Sequence, residues 1–301
     1  MTEAIDTRYE AFDVWPMARR VEALVRANER AVAAVTAALP ELTEAAEHIA
    51  MRLVAGGRIV YAGAGTSGRL ALQDAAELPP TFDFDRTVVL LAGGLSAGGE
   101  AVEGAEDDAA AAAQAVDDAM VGERDVLIGI AASGHTPYTI AAVRRARERG
   151  AITVGIANNP DSPLLAAADV AVLLATGPEV VAGSTRMVAG TAQKIALNAL
   201  STAAMPELGA VYGNLMVGMR AKNEKLRGRA VQIVALATGR DAAAAASALE
   251  AAAWDLRVAI VSLEASVTPD AARHALAAHG GRIREASASA ARAAGGERDD
   301  S

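Results

Sequence analysis

The sequence predicts an α/β fold. We expect a three-layer α/β/α sandwich around a mostly parallel five-stranded sheet, with a small helical C-terminal appendage. Short apolar runs alternate with helix-like stretches through the middle of the chain, and this alternation is typical of a parallel sheet covered on both faces. Hydrophobic residues make up 52% of the 301 residues, whereas aromatic residues make up only 3%. The core should therefore be sizeable and aliphatic.

The first part of the chain predicts an irregular start and then two helices. The run MARRVEALVRANERAVAAVTAAL has helical apolar spacing until Pro40, and ELTEAAEHIAMRLVA predicts a second helix that ends at Gly56 and Gly57. Buried strands are predicted for RIVYAG, TVVLLAGG, DVLIGIAAS, AITVGIANN and DVAVLLAT. Helices are predicted for GRLALQDAA, GEAVEGAEDDAAAAAQAVDDAM, TPYTIAAVRRARERG, SPLLAAA and, after the last strand, GTAQKIALNALSTAAM.

From about residue 220 the strand patterns stop, and short helices separated by glycines follow. Stretches such as DAAAAASALEAAA favour helix because alanine has the highest helix propensity. We therefore divide the chain into an N-terminal helical segment (1–50), a sheet-containing domain (51–218), a helical subdomain (219–290) and a disordered tail (291–301).

Composition excludes several classes of function. The net charge is −9 and no basic patch with interleaved aromatics occurs, which argues against nucleic-acid binding. The chain has no cysteine, so disulfides and thiolate nucleophiles are excluded, and its four histidines show no metal-ligand spacing. The N-terminus lacks the apolar core of a signal peptide, and no apolar run approaches the roughly 18 residues of a membrane span. We expect a cytoplasmic protein that does not bind membranes.

A glycine-rich loop, GAGTSG, follows the first predicted strand. A dinucleotide loop needs an acidic residue at the end of the next strand, but that strand ends LAGG. A P-loop needs lysine after its last glycine, where this chain has Arg69. Two interpretations remain. Gly65, Thr66 and Ser67 hold a monophosphate at the helix N-terminus, or the loop is only a tight strand-to-helix turn.

Two later loops carry hydroxyl groups at the ends of strands. The third strand leads into AASGHTPY, with Ser133, Gly134 and Thr136, and the fifth leads into GPEVVAGSTRMVAG, with Glu179 and Ser184. Each Ser or Thr could be only a helix N-cap. Because the carboxyl ends of parallel strands share one edge, we expect these loops to form a common anion-binding pocket there.

Several long motifs in order carry a family resemblance over roughly residues 50 to 240. They are GAGTSGRLALQDAAELPPTF, AVEGAEDD, IAASGHTPY, GSTRMVAGTAQK, LNALST and VYGNLMV. The chain resembles the N-acetylmuramic acid 6-phosphate etherases, which are built on a sugar isomerase (SIS) domain. The resemblance implies cleavage of a lactyl ether to N-acetylglucosamine 6-phosphate and D-lactate, without metal or organic cofactor, by a homodimer with its site near the subunit interface. A phosphosugar isomerase and a non-catalytic phosphosugar-binding regulator remain alternatives.

The resemblance implies that Glu77 is the proton donor and that Glu106 is the second catalytic glutamate. The neighbouring Leu-Pro-Pro predicts an apolar, stiff setting for Glu77, and proline biases the preceding backbone out of the helix. From the residues alone, Glu106 cannot be separated from Glu103, three residues earlier on the same predicted helical face. Glu179 is a further candidate, for contact with a sugar hydroxyl or for a role in ring opening.

The chain departs from the family pattern at four positions. His135 stands where the family usually has arginine, Val188 where it has lysine, Leu78 where it has cysteine and Ala76 where it has serine. The first two changes remove positive charge near the expected anion. Neither matched glutamate is altered.

Overall fold

The computed structural model describes residues 1–100, 102–221 and 223–296. It divides into two compact units. The first unit comprises Met1–Ala75 and Arg86–Ala203, and the second comprises Ala76–Asp85 and the chain from Ala204 onward. The domain boundaries expected from sequence at residues 51 and 219 stay a prediction.

The first unit begins with two 3-10 turns, Thr7–Tyr9 and Phe12–Val14, and three helices. The helices are α1 (Met17–Ala27), α2 (Glu29–Ala37) and α3 (Leu39–Val54). The single helix predicted before Pro40 is interrupted at Asn28. Pro40 lies in the first turn of α3, where its missing N–H removes no helical hydrogen bond.

All five predicted strands form one parallel sheet in the order β2-β1-β3-β4-β5, which confirms the predicted fold class. The strands are β1 (Ile59–Gly63), β2 (Thr87–Leu91), β3 (Val126–Ala131), β4 (Ile152–Ala157) and β5 (Val170–Leu173). The helices of this region are α4 (Gly65–Phe82), α5 (Ala109–Asp118), α6 (Pro137–Glu148), α7 (Pro163–Ala167) and α8 (Val188–Ala204).

Alternate residues of the strands are buried under helices on opposite faces of the sheet. On one face, Val60 and Leu127 belong to an apolar cluster with residues of α5, α6 and α7 such as Val143. On the other face, the Tyr61 hydroxyl donates to Asp74 Oδ2 of α4 at 2.8 Å, and both side chains are buried. Burial and the neighbouring carboxylate together raise the pKa of Tyr61 well above its ordinary value. This pair anchors α4 to the sheet.

The second unit is mainly helical, as predicted. It contains a hairpin of β6 (Val211–Tyr212) and β7 (Leu215–Met216), and then α9 (Glu224–Thr238), α10 (Ala242–Ala251), α11 (Leu256–Ala265), α12 (Pro269–Ala278) and α13 (Ile283–Gly296). Its core is aliphatic and includes Ile233, Leu249 and Ile260. The hairpin was not predicted, because two-residue strands show no periodicity.

The tail is ordered further than the sequence predicted. A disordered segment was expected from residue 291, but α13 continues to Gly296, since the alanine-rich run favours helix. Residues 297–301 of that predicted tail lie outside the described residues. None of the helices within the described ranges combines the length and apolarity needed to cross a membrane.

Candidate active site

The strand order places a topological switch point between β1 and β3, because the chain passes from β1 to β2 on one side and β3 lies on the other. Ligands of open α/β sheets bind outside the carboxyl ends of the strands at such a point. The first loop (residues 64–68) follows β1 and the second loop (residues 132–136) follows β3. The third loop (residues 174–187) follows β5. The three predicted loops therefore share one edge.

The first loop is a tight turn that only glycine permits. A Cβ at Gly68 would lie 2.3 Å from Leu91 Cδ1 and 2.8 Å from Gly63 O. Helix α4 begins at Gly65, three residues before the start expected from sequence. The N–H groups of residues 65 to 67 therefore stand in the first helical turn, where they have no helical acceptor. Such groups are suited to hold an anion.

Thr66 and Ser67 have different surroundings, although sequence treats them alike. Ser67 is 6% exposed, and its hydroxyl donates to Gln193 Oε1 at 2.8 Å. Thr66 is partly exposed. Its hydroxyl has no hydrogen-bond partner among the residues that the structure describes. The Thr66 hydroxyl is thus available to a ligand, whereas the Ser67 hydroxyl is engaged inside the protein.

The Ser67 bond is one end of a buried chain of neutral polar groups. Gln193 Nε2 donates to Asn158 Oδ1 at 2.9 Å, and Asn158 Nδ2 donates to Leu174 O at 2.9 Å. Gln193 and Asn158 are both almost fully buried. This hydrogen-bond network connects the first loop, α8 and the ends of β4 and β5. Sequence reasoning missed both amides, because only the folded chain gives them partners, although each stands in a quoted stretch, ANN and GTAQK.

The second loop depends on the backbone of Gly134, which has a φ of +69°. A Cβ at this position would lie 2.2 Å from Ser162 Oγ. The Gly134 carbonyl accepts a hydrogen bond from the N–H of Leu164 at 3.0 Å. The loop is therefore fixed against the start of α7, and a side chain at residue 134 would displace it.

The polar side chains of the second loop differ in their hydrogen bonds. Thr136 is the N-cap residue of α6 and Pro137 is its first residue, as predicted, but the Thr136 side chain makes no capping hydrogen bond. The Ser133 hydroxyl accepts from the His135 N–H at 3.1 Å. The His135 ring is exposed, and its Nδ1 lies 2.8 Å from Ser133 O. The Thr136 hydroxyl therefore remains free of the helix that it precedes.

In the third loop, Glu179 is turned into the protein. It is 1% exposed, and its carboxylate accepts from the N–H groups of Val188 at 3.0 Å and Ala189 at 2.9 Å. A negative charge at a helix N-terminus is favourable, so Glu179 caps α8. Val188 is buried, which suits valine better than the lysine usual in the family. Ser184 is partly exposed.

Glu106 lies in a cleft beside the first loop. Gly65 and Arg69 line one side of this cleft, and Glu103 and Glu106 line the other. Both glutamates are exposed. The Arg69 Nε donates to Ala97 O at 3.2 Å, which holds the guanidinium against the loop that follows β2. The cleft thus contains both the Glu106 carboxylate and the N-terminus of α4, which is suited to bind an anion.

The helix predicted through this acidic run is much shorter. The run contains a 3-10 turn, Ala105–Asp107, and α5 begins only at Ala109. Gly104 has a φ of +72°, a conformation that interrupts a right-handed helix. Glu103 and Glu106 therefore do not share a helical face, and the expectation that they do was wrong.

The predicted surroundings of Glu77 also need correction. Glu77 is exposed and helical, and α4 continues through Pro79 and Pro80 to Phe82. The backbone is not lifted out of the helix: each proline removes only the hydrogen bond of its own missing N–H, and Pro79 O still accepts from Asp83 N–H. Glu77 belongs to the second unit, whereas the other predicted site residues belong to the first.

Comparison with known proteins identifies the domain type. The chain matches the glucokinase regulatory protein N-terminal SIS domain over residues 41–147 and the SIS domain over residues 107–203. Among solved structures, a putative phosphosugar isomerase involved in capsule formation from Bacteroides fragilis is 23% identical, with a TM-score of 0.49, over 63% of this chain and 90% of that chain.

Curated relatives match almost the whole sequence. The N-acetylmuramic acid 6-phosphate etherase of Deinococcus radiodurans is 50% identical over 286 residues, which cover 94% of each chain. That of Symbiobacterium thermophilum is 54% identical over 247 residues, covering 81% of this chain and 82% of the relative. The chain belongs to the N-acetylmuramic acid 6-phosphate etherase family.

Proposed function

We propose that the protein cleaves the D-lactyl ether of N-acetylmuramic acid 6-phosphate and releases N-acetylglucosamine 6-phosphate and D-lactate. The observation that carries this proposal is the cleft that Glu106 lines together with Gly65, the first residue of α4. Membership of the family supports it and does not favour the isomerase or regulator alternatives. We place the reaction in the cytoplasm, because a charged sugar phosphate does not cross a membrane unaided.

The substrate-binding residues are assigned by whether their polar groups are available to a ligand or already engaged inside the protein. We propose that Gly65, Thr66, Ser133, Thr136 and Ser184 contact the phosphosugar, with the phosphate at the N-terminus of α4. The other predicted binding residues shape the loops: Ser67 and Glu179 through internal hydrogen bonds, and Gly134 through its backbone.

The chemistry is an elimination followed by addition of water. The sugar opens to an aldehyde, which acidifies the proton on C2. Glu106 acts as the base that removes this proton, and the bond between C3 and the lactyl oxygen breaks as Glu77 protonates that oxygen. Water then adds to the unsaturated aldehyde, with its hydroxyl on C3 and its proton on C2. Positioned carboxyl groups suit this general acid–base work.

We also propose that the protein is a homodimer. Met17, Val21 and Val25 follow one another at four-residue spacing on α1 and are 68%, 51% and 65% exposed. An apolar stripe of this kind on a helix is suited to pack against a second copy. Sedimentation equilibrium should give twice the mass of the chain, and a monomer at micromolar concentration would contradict the proposal.

Release of D-lactate by the purified protein, without added metal, tests the proposed function. We expect release at catalytic rates, together with formation of N-acetylglucosamine 6-phosphate. Binding of the substrate without any turnover would instead support the regulator alternative.

The Glu77→Gln variant tests the proton donor. It should bind the phosphosugar as the wild type does but lose turnover by about 100-fold or more, because amide cannot donate the proton that the leaving oxygen requires. Glu207→Gln, which removes an exposed glutamate elsewhere in the second unit, is the control. Near-normal turnover of Glu77→Gln would exclude the assigned role.

A further inference from the structure

A short N-terminal segment, Thr2 and Glu3, connects the second loop to the third. Thr2 is fully buried, and its N–H donates to Asn159 Oδ1 at 2.7 Å. Asn159 Nδ2 donates to Thr2 Oγ1 at 3.1 Å and to Ser133 O at 3.3 Å. We call the pair Thr2 and Asn159 the clasp. Because buried polar groups are costly to leave unpaired, these bonds hold the segment in one place.

The clasp sets the position of the Glu3 carboxylate. A Cβ built on Gly183 would lie 3.6 Å from Glu3 Oε2, and the Thr2 hydroxyl lies 3.5 Å from Glu3 Oε1. The Glu3 side chain is exposed. Its carboxylate thus stands at the rim of the third loop, next to Ser184, with an acceptor turned to solvent.

The third loop also adjoins the first loop. A Cβ built on Gly190, in the first turn of α8, would lie 3.5 Å from Thr66 Cγ2 and 3.4 Å from Thr185 O. The third loop and the start of α8 therefore lie beside Thr66, and Glu3 stands at the rim of that third loop.

The negative charge of Glu3 determines which part of a substrate it can bind. The N-terminal amides of α8 are already taken by the Glu179 carboxylate, so they are not available to a phosphate. A carboxylate repels a phosphate but accepts hydrogen bonds strongly from hydroxyl and amide groups. The phosphate should therefore lie toward α4, and the neutral polar groups of the sugar toward Glu3.

We propose that Glu3 is a specificity-determining residue, held by the clasp, that accepts a hydrogen bond from a hydroxyl or an amide N–H of the bound sugar. This inference rests on the proposed function. It assigns a binding role and no proton transfer to Glu3, so its loss should weaken binding more than it slows turnover.

The test compares Glu3→Gln with Glu10→Gln, which removes another exposed carboxylate near the N-terminus but outside that segment. The readouts are KM and kcat for D-lactate release and, separately, the calorimetric Kd of N-acetylglucosamine 6-phosphate. For Glu3→Gln we expect KM and Kd to rise about 10-fold and kcat to stay within about twofold, because a charged acceptor becomes neutral. Glu10→Gln should match the wild type.

Wild-type KM and Kd in Glu3→Gln would overturn the inference. If the wild type released no lactate, the proposed function would fail, but the calorimetric comparison would still test Glu3. Asn159→Ala provides the second variant, with circular dichroism to verify folding. It should raise KM as Glu3→Gln does, and the double variant should be little worse than either single variant, because both act through one contact. Fully additive effects would exclude a role for the clasp in positioning Glu3.

Discussion

The two edges of the sheet in the first unit are built from different interactions. At the amino edge, Arg58 and Asp125 precede β1 and β3 and pair at 2.8 Å, and Arg147 pairs with Asp169 before β5 at 2.8 Å. At the carboxyl edge, neutral side chains such as Gln193 hold the loops together. Charges that neutralise one another stabilise the amino edge. At the carboxyl edge, the described residues leave the N–H groups at the start of α4 and the Thr66 hydroxyl without a protein partner, and this is the edge that can bind an anion.

The largest expected effect at the carboxyl edge comes from Glu106→Gln. Turnover should fall by about 100- to 10,000-fold, because the amide cannot remove the C2 proton. The measurement is D-lactate release, together with exchange of the C2 proton in deuterated water. Glu103→Gln, which changes another exposed carboxylate of the same cleft, is the matched control and should keep most turnover.

Exchange of the C2 proton separates the roles of the two glutamates. Loss of exchange in Glu106→Gln, but not in Glu103→Gln, would support the assigned base. Loss of exchange in Glu103→Gln, but not in Glu106→Gln, would show that Glu103 is the base and that Glu106 is not.

At the amino edge, Asp125→Ala should reduce stability without changing the chemistry. The Asp125 side chain is 7% exposed and it also accepts from the Gly122 N–H. Its removal leaves Arg58 without a carboxylate partner among the described residues, with only the carbonyls of Ala119 and Met120 still accepting from it, at a cost of about 3 kcal/mol in the free energy of unfolding. Urea unfolding measures this cost, and kcat of the folded fraction should be unchanged.

Asp270→Ala is the control for that loss. Its side chain is 88% exposed and pairs with Arg273 within α12, so the variant should lose less than about 0.5 kcal/mol. Equal losses in the two variants would mean that burial does not distinguish the amino edge from the surface.

The sequence predicted the parts of this molecule that depend on local patterns. The five strands appear as apolar runs, and the first loop is recognisable because Gly65 and Gly68 lie where a strand is followed by a helix. The sequence did not separate Thr66 from Ser67, since their difference arises from Gln193, more than a hundred residues away in the chain. It also did not show that Glu179 caps α8, because the N–H groups that bind its carboxylate are identified only when α8 is folded against it.

The two neighbouring hydroxyls of the first loop should therefore respond differently to removal. Thr66→Val should raise KM about 10-fold and change the free energy of unfolding by less than about 0.5 kcal/mol, because it removes a free hydroxyl. Ser67→Ala should cost about 1–2 kcal/mol, because Gln193 Oε1 is left buried and unpaired, and its KM should change less. Steady-state kinetics and urea unfolding of both variants test this. A larger rise in KM for Ser67→Ala and a larger loss of stability for Thr66→Val would contradict the assignment.

The smallest expected effect is a pH dependence at the amino edge. Burial by itself raises the pKa of Asp125, but hydrogen bonds from Arg58 and from the Gly122 N–H outweigh it and hold that pKa below its ordinary value. An unfolded aspartate titrates near pH 3.9. The stabilisation is therefore complete above about pH 4 and is lost as the pH falls through the lower pKa of the folded state. The stability difference between the wild type and Asp125→Asn should then shrink between pH 6 and pH 3. A difference that stayed constant over this range in urea unfolding would show that the carboxylate charge contributes nothing, and that hydrogen-bond geometry alone stabilises this edge.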